Sequence, residues 1–238
     1  VTITDTATQK TATLTTAASG RAILFPRLFG MGDKLTASTS CLSQSATTVS
    51  FDVKDADGAV ALKLPVARAD VSKPSLDVVF ILDTTGSMSE EIEGVKTTLK
   101  TVLAKLDPGV QIRVGLVEYK DKGDEYVTKT YALTSDIKSL SASIAGLSAD
   151  GGGDTPEDVD AGLSVAINQM QWSAKSVGRL AFLIADAPPQ LNYSDSVPYG
   201  TSAKKAAEKG IKVFTVAASG MDAQGQAVFR QVAQITGG

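Results

Sequence analysis

From about Leu76 onward, the chain alternates largely apolar runs with segments whose apolar positions recur every three or four residues. The runs fall at 76–83, 111–119, 127–132, 179–186 and 211–217, and the periodic segments at 88–106, 136–147, 156–172, 200–209 and 224–235. A run that is apolar nearly throughout leaves little face for water, so it predicts a strand buried on both sides. Alternation of such strands with helices predicts a mainly parallel sheet covered on both faces. The expected class for this part is therefore α/β, a Rossmann-like doubly wound fold.

Residues 1–70 follow a different grammar. They are rich in Thr, Ser and Ala, lack a helical period, and read as short alternating strands at 11–15, 22–25, 35–39, 47–53 and 60–66. Ser19-Gly20, Gly30-Met31-Gly32-Asp33 and Asp55-Ala56-Asp57-Gly58 supply the turns. This spacing predicts a small β-sandwich. The run Thr15-Thr16-Ala17-Ala18-Ser19-Gly20-Arg21-Ala22 resembles a turn of carboxypeptidase-regulatory, transthyretin-like sandwiches. Asp70-Val71-Ser72-Lys73-Pro74-Ser75 reads as a linker, so the expected division is a sandwich with its linker over 1–72 and an α/β domain over 73–238.

Composition narrows the functional classes. A net charge of −3 over 238 residues, with no Lys/Arg cluster interleaved with aromatics, argues against a nucleic-acid partner. No apolar run approaches the roughly 20 residues that span a bilayer. The chain has no histidine, which excludes His-dependent triads, His-ligated zinc and a His general base within it. Cys41 is the single cysteine, so no intrachain disulfide forms; it reads as an inert buried thiol. The sequence opens on Val1 rather than Met, and we expect that residues, a signal peptide among them, precede it.

The chemistry concentrates where the strands end. The run Val78-Val79-Phe80-Ile81-Leu82 closes on Asp83-Thr84-Thr85-Gly86-Ser87-Met88, an acid followed by two hydroxyls spaced two apart. Asp186 closes a second run, Leu180-Ala181-Phe182-Leu183-Ile184-Ala185, and Thr155 lies in the glycine loop Gly151-Gly152-Gly153-Asp154-Thr155-Pro156-Glu157. In an open parallel sheet, ligands bind beyond the carboxyl ends of the strands, so the fold can gather these distant groups. Hydroxyl and carboxylate oxygens suit Mg²⁺ or Mn²⁺ completed by water. Each residue also has a plainer role. Ser87 or Ser89, with Glu90 and Glu91, would cap the helix that follows. Asp154, Glu157 and Asp158 read as loop and cap residues, Glu118 and Asp121 as solvated acids, and Trp172 as core packing. Glu118, Asp121, Asp154 and Glu157 are the candidates for a supporting shell.

The pattern D-x-T-x-S, then Thr155, then Asp186 resembles the metal-ion-dependent adhesion site of von Willebrand factor type A domains. The resemblance covers about 76–238. Tyr119-Lys120-Asp121, Gly152-Gly153-Asp154-Thr155-Pro156-Glu157-Asp158 and Asp186-Ala187-Pro188-Pro189 are similar to the branch found in hemicentins and α-kinase-associated proteins. That branch usually continues with His, where Gln190 stands here. Ile235-Thr236-Gly237-Gly238 resembles the turn before the domain's last strand. The resemblance implies a non-enzymatic module in which Asp83, Thr85, Ser87, Thr155 and Asp186 hold Mg²⁺ or Mn²⁺, and a Glu or Asp of a protein partner completes the metal's shell. The Thr/Ser-rich strands in front are similar to modules of secreted and surface proteins, which favours adhesion. The alternative is an intracellular scaffold that recruits partners to an ATPase or kinase assembly.

Enzymatic rivals lack key groups. A haloacid-dehalogenase-like phosphotransferase needs a second acid where Thr85 stands and paired acids where Asp186 is followed by Ala187. A serine hydrolase at Ser87 has neither a His base nor a G-x-S-x-G elbow. Gly151-Gly152-Gly153 is not followed by the Lys-Ser/Thr of a phosphate loop.

Overall fold

The computed structural model describes residues 1–39, 47–56, 58–63, 73–105, 109–153 and 155–238. Its larger part is a five-stranded sheet. Strand β5 (Ser75–Asp83) lies at the centre. It pairs in parallel with β6 (Gln111–Tyr119) on one side and β8 (Gly178–Ala185) on the other. Strand β9 (Ile211–Ala217) continues the parallel set beyond β8, while β7 (Thr128–Thr134) runs antiparallel on the far edge. The apolar run at 76–83 occupies the central strand because that position offers no solvent on either face.

Helices cover both faces. Helices α1 (Ser89–Ala104) and α2 (Ile137–Ala145) pack on one side, around Phe80, Leu82, Met88, Ile92, Leu116, Leu140 and Ile144. On the other side α3 (Val159–Asn168), α4 (Tyr199–Lys209) and α5 (Ala223–Thr236) close over Val79, Ile81, Val117, Leu163, Leu183, Val213 and Phe229. Aligned register stacks Phe80, Phe182 and Phe214 across three strands, with ring centroids 5.5 and 5.3 Å apart. Trp172 packs against the second core and donates its indole N–H to the Ala166 carbonyl at 2.8 Å.

Aspartates start three of the helices. The side chains of Asp136, Asp158 and Asp222 accept from the backbone N–H groups of Ser139, Ala161 and Gly225 at the starts of α2, α3 and α5. Each satisfies a donor that the first helical turn leaves free. Helix α4 follows Pro198 without a cap of its own, and Asp160 of α3 accepts from the Tyr199 N–H at 3.0 Å instead.

The N-terminal residues form a separate four-stranded antiparallel sheet. Its strands are β1 (Thr2–Asp5), β2 (Thr11–Thr13), β3 (Lys34–Thr39) and β4 (Thr47–Asp52), ordered β2-β1-β3-β4. Ile3, Ala12, Leu14, Met31, Leu35 and Ala37 make its core. Among the described residues there is one such sheet, and the second layer of a sandwich is not among them. The strand expected at 22–25 is not formed. Pro26 fixes its own φ and opens a 3₁₀ turn at Pro26–Phe29. Residues 60–63 are not a strand, while Leu64 to Val66, Cys41 and Asp154 lie outside the described residues. The sheet touches the larger part where the Thr15 N–H donates to the Glu208 carbonyl at 2.9 Å and Lys204 lies 4.6 Å from the centre of the Phe29 ring.

Candidate metal centre

Strand register brings the two acids to one edge. Asp83 ends β5 opposite Tyr119 of β6, and Asp186 immediately follows β8 on the other side. After Asp83 the chain turns through a short 3₁₀ segment, Gly86–Met88, into α1. That turn aims Thr85 and Ser87 back over the sheet. The backbone N–H and the hydroxyl of Thr85 both donate to Asp83 Oδ1, at 2.9 and 2.7 Å. Thr85 Oγ1 lies 3.3 Å from Ser87 Oγ, and Ser87 Oγ donates to Asp186 Oδ1 at 3.0 Å. Four of the five candidate ligands thus form one continuous chain of oxygens.

The glycine loop closes over this chain. The Gly86 N–H donates to the Gly151 carbonyl at 3.0 Å, and the Asp150 N–H to the Thr84 carbonyl at 3.2 Å. Gly152 holds φ +67°, and a Cβ there would stand 2.7 Å from the Thr85 Cβ, so only glycine allows this approach. Asp124 ties the next loop in, accepting from the N–H groups of Gly152 at 2.9 Å and Asp121 at 3.1 Å. Thr155, the fifth candidate, lies exposed in this loop, and no hydrogen bond joins it to the other four among the described residues.

The electrostatics follow from burial. Asp83 is wholly buried, which pushes its carboxyl up to about 7; the nearby charge of Asp186 adds to the rise, and the two Thr85 hydrogen bonds oppose it. Asp186 is also raised, first by burial, with Glu91 of α1 contributing. Asp83 Oδ2 is buried without a hydrogen-bond partner. A buried carboxylate oxygen in that position carries a desolvation cost that a cation or a donor would offset. The donors gathered here are oxygens only, which fits a hard divalent cation. Among the described residues no group of three or more His, Cys, Asp or Glu side chains could hold a metal. Any cation here therefore depends on the two hydroxyls as well as the two acids.

The supporting acids differ from the sequence expectation. Glu118 is 3% exposed and Asp121 5% exposed, so neither is solvated. Glu118 accepts from the hydroxyls of Tyr126 at 2.7 Å and Tyr131 at 2.6 Å, and Tyr126 also meets Thr84 Oγ1 at 3.1 Å. Asp121 Oδ2 accepts from the Tyr193 hydroxyl at 2.7 Å, which links the 187–198 loop to the end of β6. These acids are buried because tyrosines from the neighbouring strand β7 and from two loops reach over them, a pairing set by the fold. Glu157 is buried against the Gly152 backbone, and its main chain bridges to Pro188 and Gln190. Asp158 is the cap of α3, as expected, and Ser196 donates to its other oxygen at 3.0 Å.

Two residues that sequence reasoning passed over stand beside the site. Lys120 is 2% exposed, paired with Asp150, and lies 4.9 Å from the Tyr126 ring centre. Tyr119 is wholly buried with its hydroxyl near Asp83. Their one sequence signal was the run Tyr119-Lys120-Asp121 directly after an apolar strand.

Comparison with solved structures gives the same fold at low identity. Proximal thread matrix protein 1 from the mussel byssus superposes with a TM-score of 0.53 at 13% identity, over 67% of this chain and 39% of that one. The pilus adhesin SpaC from Lactobacillus rhamnosus GG superposes with a TM-score of 0.52 at 16% identity, over 68% of this chain and 27% of that one. Two curated proteins are similar in sequence. An ariadne-like RING finger protein of Acanthamoeba polyphaga mimivirus is 31% identical over 115 residues, 48% of this chain and 11% of the relative. The alpha-protein kinase vwkA of Dictyostelium discoideum is 32% identical over 117 residues, 48% of this chain and 18% of the relative. The matched stretch is thus a small part of each relative's length. Residues 77–238 match the von Willebrand factor type A domain, well over half of the chain, and with the parallel sheet and the oxygens gathered at its edge this makes the chain a member of that family of interaction modules.

Proposed function

We propose that the chain is a cation-dependent protein-binding module, in which Mg²⁺ or Mn²⁺ sits among Asp83, Thr85, Ser87, Thr155 and Asp186 and a partner's Glu or Asp completes its shell. The observation that carries this reading is the oxygen chain from Asp83 through Thr85 and Ser87 to Asp186 at the carboxyl edge of the sheet. Thr155 is exposed in the same loop as Gly152, which packs on Thr85, and its hydroxyl would join the set around a bound cation. Bound there, the cation supplies an electrophilic centre. Asp83 and Asp186 would balance its charge, and a partner's carboxylate would complete its shell. The protein holds the first two carboxylates and keeps one side open, because Ser87 and Thr155 are exposed.

No catalytic role is assigned to the site. We place the module at the cell surface or outside the cell, on the strength of the Thr/Ser-rich sheet in front of it. The partner is a protein with an accessible acidic side chain.

The deciding experiment compares capture of the native partner in EDTA, in Mg²⁺, and by Thr155→Ala in Mg²⁺. Binding is expected in Mg²⁺ alone, weakened in the variant while its melting temperature holds. Equal capture in all three places the binding surface elsewhere.

A further inference from the structure

Tyr119 and Asp83 face each other across β6 and β5 in register, and both side chains are wholly buried. Asp83 spends one oxygen on Thr85, which donates to Oδ1 twice. Its other oxygen, Oδ2, and the Tyr119 hydroxyl are both buried without a hydrogen-bond partner. Buried polar atoms are nearly always paired, so two orphans side by side mark an arrangement that something completes.

The Tyr119 ring packs directly against the backbone of α3. A Cβ at Gly162 of α3 would stand 2.6 Å from its Cδ1, so the bare helix backbone is what lets the ring lie there. Held by α3, the hydroxyl approaches Asp83 without completing a hydrogen bond to it. Three more carboxylates, those of Glu157, Asp186 and Asp158, lie near it. A phenol is an uncharged donor, so it can support a carboxylate in a place where a cationic donor such as Lys would compete with a metal.

Resting on the cation-site reading above, we propose that Tyr119 is a positioning residue of the metal centre: its hydroxyl donates to Asp83 Oδ2, directly or through one water molecule, and holds that carboxylate ready for the cation. Asp83 is then clamped at both oxygens, by Thr85 on one and Tyr119 on the other. A carboxylate clamped before the cation arrives loses little freedom on binding, and removal of such supporting hydrogen bonds commonly weakens metal sites about 10–100-fold.

Tyr119→Phe deletes one oxygen and keeps the ring, so the core stays filled. Calorimetric titration with Mg²⁺ should show affinity about tenfold weaker than the parent protein. The melting temperature in EDTA should hold, because the ring stays and one buried hydrogen bond only modestly exceeds the desolvation of its own groups. A merely structural tyrosine gives the opposite pair, lower stability in EDTA and unchanged Mg²⁺ affinity, and that result overturns the proposal. If the variant fails to fold, a high-resolution crystal structure of the unaltered protein with Mg²⁺ decides. A hydroxyl linked to Asp83 Oδ2, directly or by one water, supports the role, and a hydroxyl linked to neither refutes it. An unaltered protein that binds no Mg²⁺ removes the cation site itself, whereas Mg²⁺ binding that Tyr119→Phe leaves untouched removes this inference alone.

Discussion

Ser87 donates its hydroxyl to Asp186 across 3.0 Å, and this contact joins the turn after one central strand to the end of its neighbour. Ser87 is exposed while Asp186 is 8% exposed, so the pair sits where the buried floor of the site meets solvent. Ser87→Ala should therefore cost little in folding, about 0.5–1 kcal/mol for one part-exposed hydrogen bond. It should nonetheless reduce the rise in melting temperature that Mg²⁺ produces. At cation concentrations about 100 times the dissociation constant, that rise corresponds to about 2.7 kcal/mol in the parent protein. A variant with an undiminished response to Mg²⁺ would remove Ser87 from the site.

Asp83 predicts a pH dependence that reverses with the cation. Its carboxyl lies at about 7 in the fold against 3.8 in the unfolded chain. Between those values the folded state keeps a proton that the unfolded state has released, so stability falls as pH rises from about 4 to about 7. Without cation, the protein should melt at a lower temperature at pH 8 than at pH 5. Saturating Mg²⁺ should cancel the fall, since it binds the ionised form. Asp83→Asn should make the fall in EDTA shallower, with Asp186 and Asp160, which burial also raises, keeping part of it, and should abolish the response to Mg²⁺. Thermal melts at both pH values, with and without chelator, would check this, and a flat profile in the parent protein would refute it.

The opposite end of the sheet gives a stability control. Asp77 is wholly buried on β5 and takes a two-pronged contact from Arg113, at 2.9 and 2.7 Å, plus the Ser173 N–H at 2.7 Å. Asp77→Ala leaves Arg113 Nε and the Ser173 N–H without an acceptor, while Arg113 Nη2 keeps the Gln171 carbonyl at 3.1 Å. Arg113 is about a third exposed and can turn to water, so the loss should be about 2–3 kcal/mol, below the full cost of an abandoned buried charge. Denaturant unfolding measures it. The response of this variant to Mg²⁺ should match the parent, because Asp77 lies at the far end of the strand from Asp83.

Asp5 governs the N-terminal sheet. It is buried, and its carboxylate accepts from the N–H groups of Gly32, Ala7 and Thr8, which hold it at about 2. A folded value below that of the unfolded chain means stability that is complete above about 4 and lost as pH falls through about 2. Asp5→Asn should therefore weaken this sheet at pH 7 and make little difference near pH 2. Hydrogen exchange at Ile3 and Leu35 across that range would show it, and equal protection in both proteins at pH 7 would contradict it.

The apolar runs by themselves determined the four parallel strands of the larger sheet, because a segment without a continuous polar face has only a buried position to occupy. Strand β6 falls at 111–119 as read from the sequence, and β5, β8 and β9 agree to within a residue at either end. The acid and hydroxyls of Asp83, Thr85 and Ser87 were legible for a related reason, since residues this close in the chain share a turn in any fold that keeps the strand. What lay beyond the sequence was everything set by meeting across the fold. Strand β1 at Thr2–Asp5 carries no distinctive pattern and exists because β2 and β3 pair with it on both sides. Glu118 and Asp121 look like surface acids in the sequence and are buried because tyrosines of β7 and of two loops supply their hydrogen bonds. Ser87 meets Asp186, and Tyr119 meets Asp83, only because β5 lies between β6 and β8. Strand order is decided by packing over the whole core, and no window of the chain contains it.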